Sequence, residues 1–339
     1  MSKKLRFAVI GTGFWSTLQI PAWRGYKNVE LTALYNRTYE KAVIAGKNYG
    51  IDKVYADAEK MIAEEKPDFI DIITEVPAHE EFVLLAAKHK VDVVCQKPMS
   101  TDYASCEKMV KACMDNGVRL IIHENYRWQE HFRTVKKILD SGAVGKIRRA
   151  EFNYYNRGRA TFANQPFLKT LPHLITTDFG SHMFDLIRYF YGEPESVYCR
   201  GLKTYEELSG EDSLVATLRY PDMLCTCAVS ENTHNAMIFV DGESGTLEMD
   251  KENNITLCNE EGVRKYEKPV YPTYEWASHV YGYLPPECVS SIVDCNGSVY
   301  ESLANNTVHE TEGIENLKTM KIVYAACESI ENNTVVSLL

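Results

Sequence analysis

Five short apolar runs, at residues 5–10, 31–35, 69–73, 91–95 and 118–122, alternate with helix-patterned segments near 15–25, 38–49, 57–65, 78–89 and 101–116. Strands alternating with helices of this length predict βαβ units, because parallel neighbours need a long crossover connection. The runs are nearly continuous in apolar residues rather than alternating, as befits strands covered on both faces. Asp57, Thr101 and Thr38 stand where helix N-caps are needed.

At 339 residues the chain exceeds one ordinary core, and its pattern changes at about residue 125. Two domains are expected, 1–124 and 125–339. In the second, helices are predicted at 129–141, closed by Gly142, and from Thr176 to Tyr191, closed by Gly192. A long mixed run from Lys146 to Arg157 lies between them. Strand-like pieces follow at 195–202, 212–220, 223–230, 236–241, 245–250 and 254–258, with turn residues at Pro221-Asp222 and from Asp241 to Gly245. A run of strands with turn-length links predicts an antiparallel or mixed sheet. A last helix, around 313–332, is expected to pack back on the first domain.

A net charge of −10 argues against nucleic acid or an anionic membrane surface as partner. No apolar run approaches the roughly 18–20 residues of a membrane span. Lys3 and Lys4 precede Leu5–Ile10, but Arg6 interrupts that run and no small-residue cleavage site follows. It reads as a first strand, and a cytoplasmic location is expected. The ten cysteines form no Cys-x-x-Cys and no zinc spacing with histidine, so no metal site is expected and they read as reduced, small hydrophobes. Cys225 and Cys227, two apart on a strand, share a face.

Gly11-Thr12-Gly13-Phe14-Trp15-Ser16 stops the first strand and opens the first helix. The first glycine permits the tight turn and the second lets backbone amides approach a pyrophosphate; Ser16 takes the third, packing place. Gly11, Thr12, Gly13, Phe14 and Trp15 are therefore candidate cofactor residues. The second strand ends in Asn36-Arg37 where a NAD site usually offers a carboxylate. An amide does not repel a 2′-phosphate and Arg37 can pair with one, so both NAD and NADP stay open. Thr74, Glu75 and His79 follow the apolar run 69–73, where a loop would cover the nicotinamide side, although His79 also suits the first turn of a helix.

The fourth apolar run leads into Gln96-Lys97-Pro98. Ligands of an open parallel sheet collect at the carboxyl ends of its strands, so an ammonium here is placed to exchange a proton with a substrate hydroxyl beside a dinucleotide. Pro98 removes a donor and biases Lys97 away from helix. Further on, Asp178 and His182 lie one helical turn apart, a spacing that lets a carboxylate orient a histidine for acid–base work. Asp185 reads as a residue of a solvated helix face. Tyr126, Tyr154, Arg157, Arg159 and His173 are candidates for holding substrate hydroxyls. The Tyr-, Trp- and Pro-rich segment 266–284 suits either a sugar face or a subunit interface.

Taken together, the Gly-x-Gly start, Gln96-Lys97-Pro98, Glu124-Asn125-Tyr126-Arg127, Asp178-x-x-x-His182 and Glu312-Gly313 resemble the Gfo/Idh/MocA oxidoreductases over essentially the whole chain. The resemblance implies an α/β fold. An N-terminal Rossmann dinucleotide-binding domain would be joined to a C-terminal α+β domain with a large, mostly antiparallel sheet that often mediates dimers or tetramers. It implies hydride transfer between NAD or NADP and a sugar, glycoside, inositol or related polyol. Lys97 corresponds to the family's catalytic lysine, His182 to its catalytic histidine, and Asp178 to a carboxylate that contacts substrate or histidine. Two departures stand out: Gln96 replaces the usual glutamate, and 171–177 lacks the glycine pair of many members. A non-catalytic, NAD(P)-sensing regulator on the same fold is the competing reading. It would be expected to lack the lysine or the histidine, and both are present.

Overall fold

The computed structural model describes residues 3–155, 159–230 and 235–339. The first strands are β1 (Leu5–Ile10), β2 (Val29–Tyr35), β3 (Val54–Tyr55), β4 (Phe69–Ile72), β5 (Asp92–Gln96) and β6 (Leu120–His123). They form one parallel sheet in the order β3-β2-β1-β4-β5-β6. Between them run α1 (Ser16–Arg24), α2 (Tyr39–Tyr49), α3 (Ala58–Glu65), α4 (His79–Lys88) and α5 (Tyr103–Asn116). Every residue of β4 is buried, and Phe7, Trp23 and Phe69 meet at 5.2–5.7 Å between ring centres. The Asp57 carboxylate caps α3 by accepting the Lys60 N–H at 2.9 Å. At α5 the cap is Asp102, which accepts the Ser105 N–H at 2.8 Å, and not Thr101 as the sequence suggests.

The remaining chain adds α6 (Glu130–Asp140), β7 (Ile147–Tyr155), α7 (Arg159–Asn164), α8 (Leu174–Thr177), α9 (Phe179–Tyr191) and β8 (Ser196–Leu202). Then come β9 (Ser213–Arg219), β10 (Leu224–Ser230), β11 (Asn235–Gly242), β12 (Gly245–Met249), β13 (Ile255–Asn259) and β14 (Gly262–Tyr266). The chain ends through α10 (Pro286–Asn305), α11 (Gly313–Asn332) and β15 (Val336–Ser337). β7–β15 form a second sheet in the order β14-β13-β12-β11-β7-β10-β9-β8-β15, antiparallel except where β7 and β10 run parallel. Alternate residues point inward: Phe152 from β7, Leu214 and Leu218 from β9, Cys225 and Cys227 from β10, all buried. Phe152 meets Phe132 of α6 and Phe190 of α9, with the three rings 6.1–6.3 Å apart. None of the ten cysteines is in a disulfide and nine are buried; burial pushes the Cys225 thiol up to about 12.

The chain divides into two units: residues 1–125, 273–281 and 288–320 in one, 126–272, 282–287 and 321–339 in the other. Most of α10 thus belongs with the parallel sheet, although the sequence pattern predicts no helix there. Its buried side includes Ser290, Ser291, Asn296 and Ser302, which blur the apolar period that would reveal it. Gly297 lies against the Tyr26 hydroxyl, which donates to the Val293 carbonyl at 2.8 Å. Beyond α10, residues 309–312 cover the outer edge of β6. Thr311 exchanges hydrogen bonds with Ile122 at 2.9 and 2.6 Å, and Glu312 accepts from Arg119 at 2.6 and 3.1 Å. An edge strand that would otherwise expose unpaired amides is closed by the chain itself. Among the described residues no helix is long and apolar enough to cross a membrane.

Adding a methyl at Gly297 would drive it into the Tyr26 ring. Gly297→Ala should cost about 1–3 kcal/mol, the usual penalty of overpacking. Adding Tyr26→Phe should restore part of that loss by removing the hydroxyl. Thermal unfolding of the single and double variants checks both, and an alanine variant as stable as the parent would contradict this packing.

Candidate functional site

Ile10 lies opposite Ile72, and Ile72 opposite Cys95, so the chain leaves β1, β4 and β5 at one edge of the sheet. At that edge Gly11 has φ +104°, and a Cβ there would sit 2.5 Å from the Ile73 carbonyl oxygen. Only glycine fits. A Cβ on Gly13 would meet nothing within 4 Å, so the loop has open space before it. Ser16, in the third fingerprint place, is buried and its hydroxyl donates to the Gly13 carbonyl at 2.6 Å. Phe14 and Trp15 are half-buried and meet edge to face at 5.8 Å.

The Thr12 N–H donates to Asn36 Oδ1 and Asn36 Nδ2 donates to the Thr38 carbonyl, both at 3.0 Å. Asn36 therefore braces the glycine loop, while Arg37 beside it is exposed. The side-chain hydroxyls of Thr12 and Thr74 are shielded from water and have no hydrogen-bond partner among the described residues. Buried hydroxyls are ordinarily satisfied. Two orphaned ones beside an open glycine turn fit a dinucleotide rich in donors and acceptors. Glu75 is exposed.

His79 does not face this opening. It is fully buried, with Nδ1 3.1 and 3.2 Å from the carbonyls of Pro98 and Met99 and Nε2 3.2 Å from that of Thr74. Burial lowers its pKa. It braces the Thr74 loop against the turn that carries Lys97. Lys97 itself is half-buried while Gln96 and Pro98 to Ser100 are buried, and the Lys97–Pro98 peptide is cis. Sequence reasoning missed the group that stands behind it: Asp71, Gln19, Trp23, His123 and Asn296, all fully buried. The available signal was a lone carboxylate in the middle of the apolar strand Phe69-Ile70-Asp71-Ile72. Burial pushes the Asp71 carboxyl up to about 7, against the hydrogen bonds from Trp23 and Gln19 that lower it.

In the second unit, α8 and α9 meet at Asp178 (φ −84°, ψ −64°), breaking the single helix expected over 176–191. Asp178 is half-buried there, and its carbonyl accepts the Ser181 hydroxyl at 2.8 Å. His182, one turn on, is 4% exposed and lies flat on Tyr126, with ring centres 3.8 Å apart and 16° between planes. Phe179 and Tyr154 close round Tyr126 at 6.4 and 5.9 Å. Tyr126, expected at the substrate, is thus the platform under His182. Asp185 is not on a solvated face: it is buried and takes a bidentate hydrogen bond from Arg127 at 2.6 and 2.8 Å. This pair ties residues 126–128 to α9.

His173, a second substrate candidate, is instead held by two carboxylates, with Glu211 at 3.3 Å and Glu331 at 3.0 Å. Those hydrogen bonds, Glu211 first, raise it to about 9 against the opposing effect of burial. Arg157 lies outside the described residues. In the aromatic segment, Tyr274 and Trp276 stack at 5.1 Å, and His279 Nε2 lies 3.0 Å from the Thr17 hydroxyl at the start of α1.

Residues 5–124 match the family model described as "Oxidoreductase family, NAD-binding Rossmann fold", and residues 132–248 match the "GFO/IDH/MocA C-terminal domain". A D-apiose dehydrogenase of Paraburkholderia graminis is 31% identical, over 99% of this chain and 90% of that protein. A myo-inositol 2-dehydrogenase of Thermotoga maritima is 25% identical over 77% of this chain and 80% of its own. Among solved structures, an oxidoreductase from Agrobacterium radiobacter in complex with NAD+, L-tartaric acid and magnesium superposes with a TM-score of 0.92. It is 29% identical and each chain is covered to 99%.

The His173 clasp has a pH signature. Its folded pKa, about 9, lies above the ordinary 6.5, so its contribution is complete below pH 6.5, falls between 6.5 and 9, and is lost above. His173→Gln should lower stability by about 1.5–3 kcal/mol at pH 6, as hydrogen bonds to charged groups do. The gap from the parent should close by about pH 9.5 in melting curves taken across pH. A gap independent of pH would contradict the clasp.

Proposed function

The chain belongs to the Gfo/Idh/MocA oxidoreductase family, and from that premise we propose that it moves a hydride between a secondary hydroxyl of a small sugar and a nicotinamide dinucleotide. Lys97 carries the reading: it leaves β5 at the sheet edge where the glycine loop leaves β1. In a sheet ordered 3-2-1-4-5-6 the dinucleotide lies at the carboxyl edge, where strand order reverses between β1 and β4. Gly11 to Trp15 and the start of α1 would hold the pyrophosphate. Asn36 and Arg37 would face the adenosine ribose, and Thr74 the nicotinamide side.

When bound, an oxidised nicotinamide accepts the hydride that leaves the carbinol carbon. The protein's share is to hold the alcohol and take its proton, so that C–H and O–H are lost as C=O forms. Lys97 Nζ–H donates to the hydroxyl oxygen and steadies the negative charge it gains. His182 accepts the proton at a ring nitrogen, and Asp178 orients it. The stacking of His182 on Tyr126 supports this role by holding the ring in one plane. The full-length likeness to a D-apiose dehydrogenase favours an aldose such as D-apiose over inositol, whose dehydrogenase is the more distant relative. Retention of both Lys97 and His182 weighs against a non-catalytic regulator.

Asn36 bears on the choice between NAD and NADP. With its amide spent on Thr12 and Thr38, Asn36 itself brings no negative charge to repel a 2′-phosphate. NADP is accepted alongside NAD, with Arg37 as its partner.

Lys97→Ala should lower turnover of D-apiose or a related sugar by roughly 10²–10⁴-fold. NADH binding, followed by fluorescence titration, should stay within about threefold, a change under 1 kcal/mol. Turnover unchanged by the substitution, or absent with every sugar and inositol in the parent enzyme, defeats the assignment. Arg37→Ala should weaken NADPH about 5- to 30-fold, or 1–2 kcal/mol, and leave NADH alone. Calorimetric titration of both nucleotides decides this, and equal effects on the two would remove Arg37 from the site.

A further inference from the structure

Asp71 sits inside β4 with no exposure to water, and among the described residues its oxygens accept from α1: Gln19 Nε2 at 2.8 and 3.0 Å, Trp23 Nε1 at 2.8 Å. Gln19 Oε1 in turn accepts from Gln96 Nε2, and Gln96 Oε1 accepts the backbone N–H of Lys97 at 3.2 Å. The other side of the Gln96 amide faces His123 Nδ1 at 3.4 Å, and His123 Nε2 lies 2.8 Å from Asn296 Oδ1. Asn296 Nδ2 closes the circuit on the Gln19 carbonyl at 3.4 Å.

These side chains are cut off from water, so each amide has one orientation that leaves nothing unpaired. Trp23 Nε1–H can only donate, and with the two contacts to Gln19 Nε2 it makes the Asp71 carboxyl an acceptor at both oxygens. Gln19 must therefore turn its NH2 to Asp71 and its carbonyl to Gln96. Gln96 must then turn its NH2 to Gln19 and His123 and its carbonyl to Lys97. The direction of every bond is set at Asp71 and delivered at the Lys97 backbone. A glutamate at position 96, the residue usual in the family, has no proton to offer Gln19 and would set acceptor against acceptor.

We propose that Asp71 is a positioning residue for Lys97, acting through Gln19 and Gln96, and that position 96 must match the hydrogen-bond polarity set at position 71. The inference rests on the assignment of Lys97 to the substrate hydroxyl. It accounts for the glutamine: the buried carboxylate of this chain stands at 71, and a carboxamide is what continues the series from there to the lysine.

The relay can be reversed as a whole. With Asp71→Asn alone, the new amide donates toward Gln19, which must flip, and the conflict passes to Gln96 and the Lys97 N–H. With Gln96→Glu alone, acceptor meets acceptor at Gln19. With both, the carboxamide introduced at position 71 donates to Gln19, and Gln19 donates to the carboxylate introduced at position 96. That carboxylate still accepts the Lys97 N–H, and its other neighbour, His123 Nδ1, must take up a proton to donate to it. Each single variant should lose about 10- to 100-fold in kcat, the scale of a small misplacement at a reacting group. KM for the sugar should change far less. The double variant should return to within about threefold of the parent, a residual under 1 kcal/mol. Losses that multiply, or singles that match the parent, overturn the proposal.

Two readouts need no turnover. The relay requires the Nε2–H tautomer of His123, visible in ring 15N shifts of the parent protein, and an Nδ1–H tautomer there sinks it even if the variants do not fold. The Lys97 backbone amide resonance should move in each single variant and return in the double. Should Lys97→Ala keep full turnover while that resonance follows the pattern, the assigned reaction fails and the relay stands as a backbone device.

Discussion

The register of three parallel strands governs what the first unit can do. Because Ile10, Ile72 and Cys95 stand side by side, the glycine turn, the Thr74 loop and Lys97 all emerge at one edge. The close approach of Gly11 to the Ile73 carbonyl is a consequence of that register, and so is the orphaned pair of hydroxyls on Thr12 and Thr74. A slip of one residue in β4 would turn Asp71 to the other face of the sheet and strand Gln19 and Trp23 without an acceptor. The strand interior, normally reserved for apolar packing, here carries a carboxylate because α1 supplies three donor contacts to it.

The second unit solves a different problem, that of holding a histidine ring still. It does so with a flat aromatic neighbour and a buried ion pair rather than with a chain of amides. Tyr126 lies under His182, and the bidentate Arg127–Asp185 pair fastens the segment carrying Tyr126 to the helix carrying His182. Desolvated pairs of this kind add little net stability but fix one geometry against its alternatives. His173 belongs to the same style of construction, held by Glu211 and Glu331 and not offered to a ligand.

Much of this is legible in the amino-acid order alone. Strand and helix alternation announces the parallel sheet, since hydrophobic burial on both faces imposes continuous apolar runs. The glycine turn, Lys97 and the Asp178/His182 pair are readable because each needs a particular residue at a particular spacing. Less legible are α10, whose buried serines and asparagine mask its period, and the helix break at Asp178. His79 takes the second of its two readings, and the roles of His173 and Asp185 differ from those expected, for one reason: a polar residue has the same letter whether it meets a ligand or a buried partner.

By itself the sequence determined the fold class, the glycine turn and the placement of Lys97 at a strand end, because those follow from local periodicity and from residues adjacent in the chain. Only the tertiary structure decided that Asp71, Gln19 and Gln96 form one directed series and that Asn296, from a helix far along the chain, closes it. Hydrogen-bond direction inside a protein depends on which groups have been cut off from water and what each then faces. That information exists only once distant segments are packed together.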